Sequence, residues 1–536
     1  MAAMATGEQT SAMETEDVEK AAPADAIDED DEEDGVGDGP AGSPTFKRCL
    51  EQVRLNESCF ASWTLLLGEA EATRNPMLES VFGQFLANFP QLYGYWNKYA
   101  RSVLARVAAE GGDSRAAAEA ACAVYERGVV ATGGASVDLW VKYGEFLTRE
   151  SGLPPARIRG VLERGAGASR YDPRSPSVYR VWGEYEESLG ERVRLLRCYR
   201  AALGAARAAD DDSIESRETA LERITDLAET VDDWGPDAAS CDDFLCACAT
   251  ENNRASKADK ARADFERRLR RPYFHSKPLG DDQLRAWRAY LHFEEGAGDA
   301  DRTRALYERC CVVCANYPEF WCKYASWAEG DAGLAVLARG IAHLKAAPDL
   351  RLLLALLREA KGDVDGAREV YENLTESVAP GLLEGIVAFA QFERRHGNLD
   401  EVVAIYKDAL AKAPTVEVTS VVNAHLARFQ HQILRDTNAA RITLETAIRG
   451  TPRDKELWVA YYTLEASSDD ADAMHRVSLL FNTALNDDSA LTRADQAALW
   501  DLYLQHVEDL GPDVNQVLRV REDHDAWKRK RAKTAA

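Results

Sequence analysis

From about residue 48 onward, apolar side chains recur every three or four positions, and prolines and glycines fall mostly between these periodic stretches. That spacing keeps apolar residues on one face of an α-helix. Strictly alternating runs of Val, Ile and Thr are absent, so no sheet is predicted and the chain reads as helix after helix.

The helices repeat in two alternating kinds. The first kind carries large aromatics three residues apart: Trp140, Tyr143 and Phe146 in "VDLWVKYGEFL", Trp287, Tyr290 and Phe293 in "QLRAWRAYLHFEEG", Trp321, Tyr324 and Trp327 in "PEFWCKYASWAEG". The same spacing gives Trp96 with Tyr99, Trp182 with Tyr185, Trp458 with Tyr461 and Trp500 with Tyr503, and Trp63 opens an earlier copy. Steps of three along a helix draw one slowly drifting stripe, read here as core. The second kind places an aromatic or leucine before a polar residue and then a small residue near the next turn. It centres on Tyr125, Leu162, Tyr199, Tyr307, Tyr371, Tyr406, Leu444 and Phe481.

The unit is therefore a helical hairpin, recurring about every 33 to 44 residues, in the range of helical solenoids. A single hairpin cannot bury its stripe, whereas stacked neighbours can. About a dozen units are expected. Some are eroded: "PDLRLLLALLREAKGD" replaces aromatics with leucines, "VVNAHLARFQHQI" keeps only Phe429, and residues 205–260 lack the Trp–Tyr signature and contain "AADDDSIES", expected as an exposed loop. The predicted fold is an all-α helical-hairpin repeat solenoid with two arms. Its expected divisions are an acidic arm over 1–44, N-terminal repeats over 45–204, a degenerate helical linker region over 205–280, C-terminal repeats over 281–512, and a C-terminal helix with a basic tail over 513–536.

Charge changes the picture at the two ends. The 536-residue chain has a net charge of −25, so its overall field repels nucleic acid and any such contact must be local or indirect. Residues 1–44 hold 14 Asp or Glu and one Lys, centred on "IDEDDEEDGVGDG", a composition that cannot build a core and is expected to be disordered. At the other end Lys528, Arg529, Lys530 and Arg531 form a short run of the nuclear-import type. No apolar stretch approaches the roughly 20 residues that span a bilayer, and the N-terminus has no signal-peptide pattern. The 11 cysteines then point to a reducing compartment and free thiols.

Catalytic and cofactor signatures do not emerge. There is no phosphate-binding loop, zinc-protease His pair or nucleophile elbow, so no enzyme, metal or cofactor is expected. Cys311 and Cys314 have metal-pair spacing, with Cys241, Cys246 and Cys248 as further candidate ligands, but helical cysteines read as core. "RRPYFHSKPL", residues 270–279, concentrates cations, aromatics and prolines. Pro272 and Pro278 make it a connector, with Tyr273 and Phe274 tucked under the following hairpin and His275 serving loop carbonyls. Arg270, Arg271 and Lys277 are its candidate contacts to RNA phosphate or an acidic partner. Beyond the last hairpin, Val514, Val517, Leu518 and Val520 space a helix face that either caps the solenoid or enters a partner subunit's groove.

The W-x-x-Y-x-x-F/W-E helix followed by V-Y-E-R resembles the half-a-tetratricopeptide (HAT) repeat of RNA-processing scaffolds. More specifically, "FERRLRRPYFHSKPLGDDQLRAWRAYLHFEE", continued by "RALYERCCVVCANYPEFWCKYASW" and preceded by "VYERGVVATGGASVDLWVKYGEFL", is similar to the pre-mRNA-processing factor 39 family over about residues 50–510. The resemblance implies a nuclear, non-catalytic scaffold associated with the U1 small nuclear ribonucleoprotein and 5′ splice site recognition. It implies mostly protein–protein contacts, indirect RNA contact, no membrane, and a homodimer or a heterodimer with a related repeat protein through the C-terminal repeats. The alternatives are a scaffold of 3′-end cleavage and polyadenylation, which uses the same repeat class, and a direct RNA-binding protein.

Overall fold

The computed structural model describes residues 43–207, 217–231, 240–468, 472–486, 489–511 and 513–535, with side chains described to residue 530. The acidic arm up to residue 42 and the "DDDSIES" loop lie outside the described residues. The chain is an all-α hairpin solenoid, and no strand occurs among the described residues.

Helix α1 (Pro44–Leu55) precedes a series of antiparallel hairpins. The first four are α2 (Phe60–Ala72) with α3 (Leu78–Asn88), α4 (Tyr93–Ala109) with α5 (Ser114–Ala131), α6 (Val137–Arg149) with α7 (Pro155–Ser169), and α8 (Pro176–Ser188) with α9 (Arg192–Leu203). Next come α10 (Arg217–Ala228) with α11 (Cys241–Arg268), α12 (Asp281–Ala297) with α13 (Ala300–Val313), α14 (Pro318–Ala328) with α15 (Gly330–His343), and α16 (Pro348–Ala360) with α17 (Val364–Asn373). The last four are α18 (Leu383–Arg395) with α19 (Leu399–Lys412), α20 (Val416–Gln432) with α21 (Thr437–Gly450), α22 (Lys455–Ala466) with α23 (Ala473–Ala484), and α24 (Arg493–Leu510) with α25 (Val514–Ala535).

Local sequence sets the helix ends. Proline occupies the first turn of α1, α7, α8, α14 and α16, where no intrahelical N–H is required. Side chains of Ser136, Asp299, Asp363, Thr415 and Asp436 accept from backbone N–H groups of the first turns they cap. Gly298 takes φ +75° and ends α12, a left-handed conformation that costs glycine little.

The sequence pattern now has a packing explanation. In five of the first helices the Trp indole N–H donates to the carbonyl six residues back: Trp63 to Glu57, Trp96 to Pro90 and Trp140 to Gly134 at 2.8 Å each, Trp321 to Ala315 at 2.9 Å, and Trp458 to Pro452 at 3.2 Å, whereas Trp182 donates to Glu186 and the buried Trp287 and Trp500 N–H groups have no partner among the described residues. Each of the bonds to a carbonyl ties the helix to the turn before it. The small residue in the second helix is where that Trp lies, with Gly128 under Trp96, Gly165 under Trp140 and Gly340 under Trp321. The second-helix Tyr stacks on the next first-helix ring, as in Tyr125–Tyr143 at 4.8 Å and Tyr307–Tyr324 at 4.9 Å between centroids. The Glu after that Tyr, or after Leu444 where leucine replaces it, accepts from the hydroxyl of the next first-helix Tyr: Tyr143 to Glu126, Tyr324 to Glu308 and Tyr461 to Glu445. Most motif positions thus bond either within their hairpin or to the next, and stacking propagates along the chain.

The Glu that closes the first-helix motif is buried and clasped by Arg from a neighbouring second helix. Glu186 pairs with Arg159, Glu294 with Arg262, Glu393 with Arg368, and Glu465 with both Arg441 and Arg476. Burial alone would disfavour the Glu393 and Glu465 carboxylates, but the bonds from these arginines outweigh it and hold both carboxyls below the usual range.

One large core runs from Phe46 to Ala205, a second from Leu269 to Leu350 and a third from Ala427 to Val520, with smaller cores between them. The region expected as degenerate contains the α10–α11 hairpin, which builds its own core from Ile224, Ala228, Phe244 and Cys248 against Leu196 and Leu203. The first two of these large cores meet. Leu92, ahead of α4, packs against the second as well as the first, α15 touches α3, and Lys345 bonds Asn88 at 2.8 Å.

Candidate interaction surfaces

A hairpin solenoid works through its surfaces, so each singled-out residue is read by what it shows to solvent. Of the predicted stripe, Trp96, Tyr99, Trp140, Tyr143, Tyr185, Trp287, Tyr290, Trp321, Tyr324, Trp458, Trp500 and Tyr503 are buried, and Trp182 and Tyr461 are half-buried. None of these rings is left as an open base-stacking face. Burial pushes the Tyr179 hydroxyl up to about 12, so it stays neutral across the physiological range.

The connector over 270–279 is built from backbone bonds. Gln283 receives the Arg270 N–H at 3.0 Å and donates to the Arg268 carbonyl at 2.9 Å, which joins the end of α11 to the start of α12. Arg271 donates to the Lys277 carbonyl at 3.1 Å. Phe274 is buried, edge-on to His343 at 5.7 Å, whereas Tyr273 remains 47% exposed rather than tucked under the hairpin. His275 Nδ1 accepts from the Lys277 N–H at 2.9 Å, so it serves a loop N–H rather than a loop carbonyl. The Arg270 and Lys277 side chains are exposed, and Arg271 is half-buried.

Beside this connector the two halves share a charged junction that sequence reasoning missed. Arg309 of α13 grips Glu266 of α11 through two bonds of 2.8 Å, and its Nε lies 3.5 Å from Asp172 in the α7–α8 turn. Its guanidinium sits 5.6 Å from the Trp287 ring centroid. Asp172 also holds Arg174, which reaches Asp138 at 2.8 Å. Burial works against the Asp172 charge, and Arg309 and Arg174 overcome it and hold the carboxyl low. Next to this junction lies a cavity of about 350 Å³ lined by Arg174, Arg262, Arg302, Arg309, Glu266 and Tyr290. Arg174, Arg262, Arg302 and Arg309 each already face a carboxylate, as does Arg267, and Arg207 completes the basic lining of this joint between the halves.

At the C-terminal end α25 folds back on α24. His524 stacks on Trp500 at 5.2 Å and 17°, and Trp527 approaches the same ring at 6.3 Å. The face predicted on this helix is divided: Val520 is buried and Val517 half-buried, while Val514 and Leu518 are 71% and 52% exposed, next to the exposed Leu510. Lys528, Arg529 and Lys530 are exposed, and the Arg531 side chain lies outside the described residues. Cys310, Cys311 and Cys314 are buried in the second core, and burial pushes the Cys310 and Cys311 thiols well up, as for apolar packing residues. Cys248 is buried, Cys241 half-buried and Cys246 exposed, and no cluster able to hold a metal occurs among the described residues.

Comparison with known proteins gives matches along both halves. Residues 47–216 match the PRP39 N-terminal HAT repeat model and residues 260–395 the PRP39 C-terminal HAT repeat model. Pre-mRNA-processing factor 39 of Homo sapiens is 27% identical over 90% of this chain and 77% of its own length, and that of Danio rerio 28% over 89% and 69%. A cleavage stimulation factor subunit 77 of Arabidopsis thaliana is 26% identical over 45% of this chain and 33% of its own. Among solved structures, CstF-77 has the same fold, with a TM-score of 0.52 at 11% identity over 81% of this chain and 89% of the other.

Proposed function

This chain belongs to the pre-mRNA-processing factor 39 family, and from that premise we propose that it is a non-catalytic nuclear scaffold of pre-mRNA splicing, working with the U1 small nuclear ribonucleoprotein at 5′ splice site recognition. The observation that carries the reading is the extent of similarity, which runs through nearly the whole hairpin series rather than a single repeat block. Rigid stacked hairpins present long faces on which several proteins dock at once. The arms over 45–204 and 281–512, joined by the linker region 205–280, would supply two such faces. RNA would then be reached mainly through bound proteins. The exposed run Lys528–Lys530 supports the nuclear-import role assigned to 528–531.

The same reading includes a dimer, with a second copy or a related repeat protein, through the C-terminal repeats. Exposed Leu510, Val514 and Leu518 support it, since apolar side chains clustered near a solenoid end are suited to burial between subunits. Dimerisation would double the docking faces and raise the effective concentration for a second contact.

The test is to purify the tagged protein from nuclear extract of its source cells and sequence the small RNA that accompanies it. Enrichment of U1 RNA is expected. A 3′-end cleavage scaffold is the second reading, favoured by the similarity to cleavage stimulation factor subunit 77. Recovery of cleavage and polyadenylation factors without U1 RNA would establish it and overturn the first.

A further inference from the structure

Helix α11 carries an excess of cations on its exposed side. Its carboxylates from Glu251 onward are all engaged: Glu251 by Arg200, Asp259 by Arg217, Asp264 by Arg267 and Glu266 by Arg309. Arg254, Lys257, Lys260 and Arg268 are exposed, and none has an ion-pair partner among the described residues. At 100° per residue these four fall within about a third of the helix circumference, on one outer face that also holds the exposed Asp264, itself neutralised by the exposed Arg267. They span about 21 Å along the axis at 1.5 Å per residue. The first three are spaced by three, close enough for like charges to repel. The line continues into the connector, where Arg270 and Lys277 are exposed beside Tyr273, a ring 47% open to solvent.

We propose that this outer face of α11, with Arg270 and Tyr273 at its end, is a direct docking track for the phosphate backbone of single-stranded RNA. A rigid row of unpaired cations suits a linear polyanion, and an exposed aromatic at the end of the row offers a base a stacking surface. In a chain of net charge −25 such a row is a local reversal of field, the footprint expected of a nucleic-acid contact. An acidic peptide would use the cations but gain little from an open Tyr ring. The track is independent of the U1 reading, because it needs only this chain and RNA.

The full-length protein is titrated against a short fluorescent single-stranded RNA of mixed sequence, by anisotropy over a series of salt concentrations. Combined Arg254→Gln, Lys257→Gln, Lys260→Gln and Arg268→Gln is expected to weaken binding at least about tenfold. It should also flatten the slope of log affinity against log salt by about 3, at ~0.7 per lost phosphate contact. Tyr273→Ala is expected to weaken binding about fivefold to tenfold with the slope unchanged, the signature of a lost stack rather than a lost charge. Combined Lys528→Gln and Arg529→Gln is expected to bind as the parent does. Unchanged binding by the α11 variant, with circular dichroism confirming that both proteins are folded, would overturn the proposal. Equal affinity of the parent for a polyglutamate peptide would overturn the RNA assignment and mark the face as a site for acidic protein.

Discussion

Two adjacent hairpins begin alike and pack differently. Helices α14 and α16 both start with proline at the first turn, and aligning them there sets Arg351 where α14 has Trp321 and Leu354 where it has Tyr324. Helix α14 buries Phe320, Trp321, Tyr324 and Ala325, and its rings are bonded to the Ala315 carbonyl and to Glu308. Helix α16 buries only Leu350 and Ala355, and most of its other leucines are half-buried. Arg351 still reaches a carbonyl, that of Ala347, at 3.1 Å. The second helices diverge in the opposite sense: α15 has no Phe, Tyr or Trp and buries Leu337, whereas Tyr371 of α17 is fully buried and stacks on Phe389 of α18 at 5.6 Å. A first helix can thus lose its aromatics while the series continues, and here its own second helix supplies the ring on which the next unit stacks. Leucines supply apolar area without direction, whereas Trp and Tyr supply area together with a bond that fixes rotation and register.

The widest separation between the two hairpins is expected from truncating the equivalent positions. Trp321→Ala should lower stability by about 3–5 kcal/mol, as for a large buried aromatic. Arg351→Ala, at the same register, should cost less than about 1 kcal/mol, as for a partly exposed side chain with one backbone bond. Urea denaturation followed by circular dichroism measures both. Equal losses would mean that the arginine holds its hairpin as firmly as the tryptophan does.

A second contrast concerns the ionic clasp that the eroded hairpin retains. Arg368 of α17 donates to the buried Glu393 of α18, whose pKa is depressed in the fold. A depressed carboxylate contributes stability that is present above its unfolded pKa of about 4.3 and is lost as pH falls through the folded value. Glu393→Gln should therefore cost about 1.5–3 kcal/mol at neutral pH, as for a buried charge-assisted bond. It should also flatten the loss of stability on acidification below about pH 4.3. Denaturation midpoints across an acid series read both effects. A variant whose acid profile overlays the parent's would show that the clasp contributes nothing to the stability of this hairpin.

The parts of this architecture legible in the sequence are those with local periodicity. Trp140, Tyr143 and Phe146 announce a helix face by their spacing alone, and "VYER" announces its partner. The α10–α11 hairpin was harder to read because Ile224, Phe244 and Cys248 bury modest side chains without the aromatic pattern. The junction of Asp172, Glu266 and Arg309 was not legible, because charged residues so far apart in sequence carry no local mark of meeting. The cations of α11 sit between the two cases. Arg270, Arg271 and Lys277 stand out in the sequence by crowding, whereas Arg254, Lys257 and Lys260 do not. Their spacing of three was visible, but that Asp259 and Glu266 turn inward to other partners became evident only in the fold.

The smallest expected effects come from two glycines of one helix, and their signs should differ. Gly160 of α7 is exposed, and a methyl group there would meet nothing within 4 Å. Gly160→Ala should therefore raise stability by about 0.5–1 kcal/mol, because alanine loses less backbone entropy in a helix than glycine does. Gly165 lies five residues on, under Trp140, where the same methyl group would stand 2.9 Å from the indole ring. That ring is buried and tied to the Gly134 carbonyl, so it cannot withdraw without giving up the bond that sets its orientation. Overpacking of this kind costs about 1–3 kcal/mol and outweighs the gain in propensity, leaving Gly165→Ala destabilised by about 1 kcal/mol. Melting curves of the two variants separate the cases. If both alanines stabilise, the tryptophan is free to move, and the small residue of the second helix records helix preference rather than the ring it was read as accommodating.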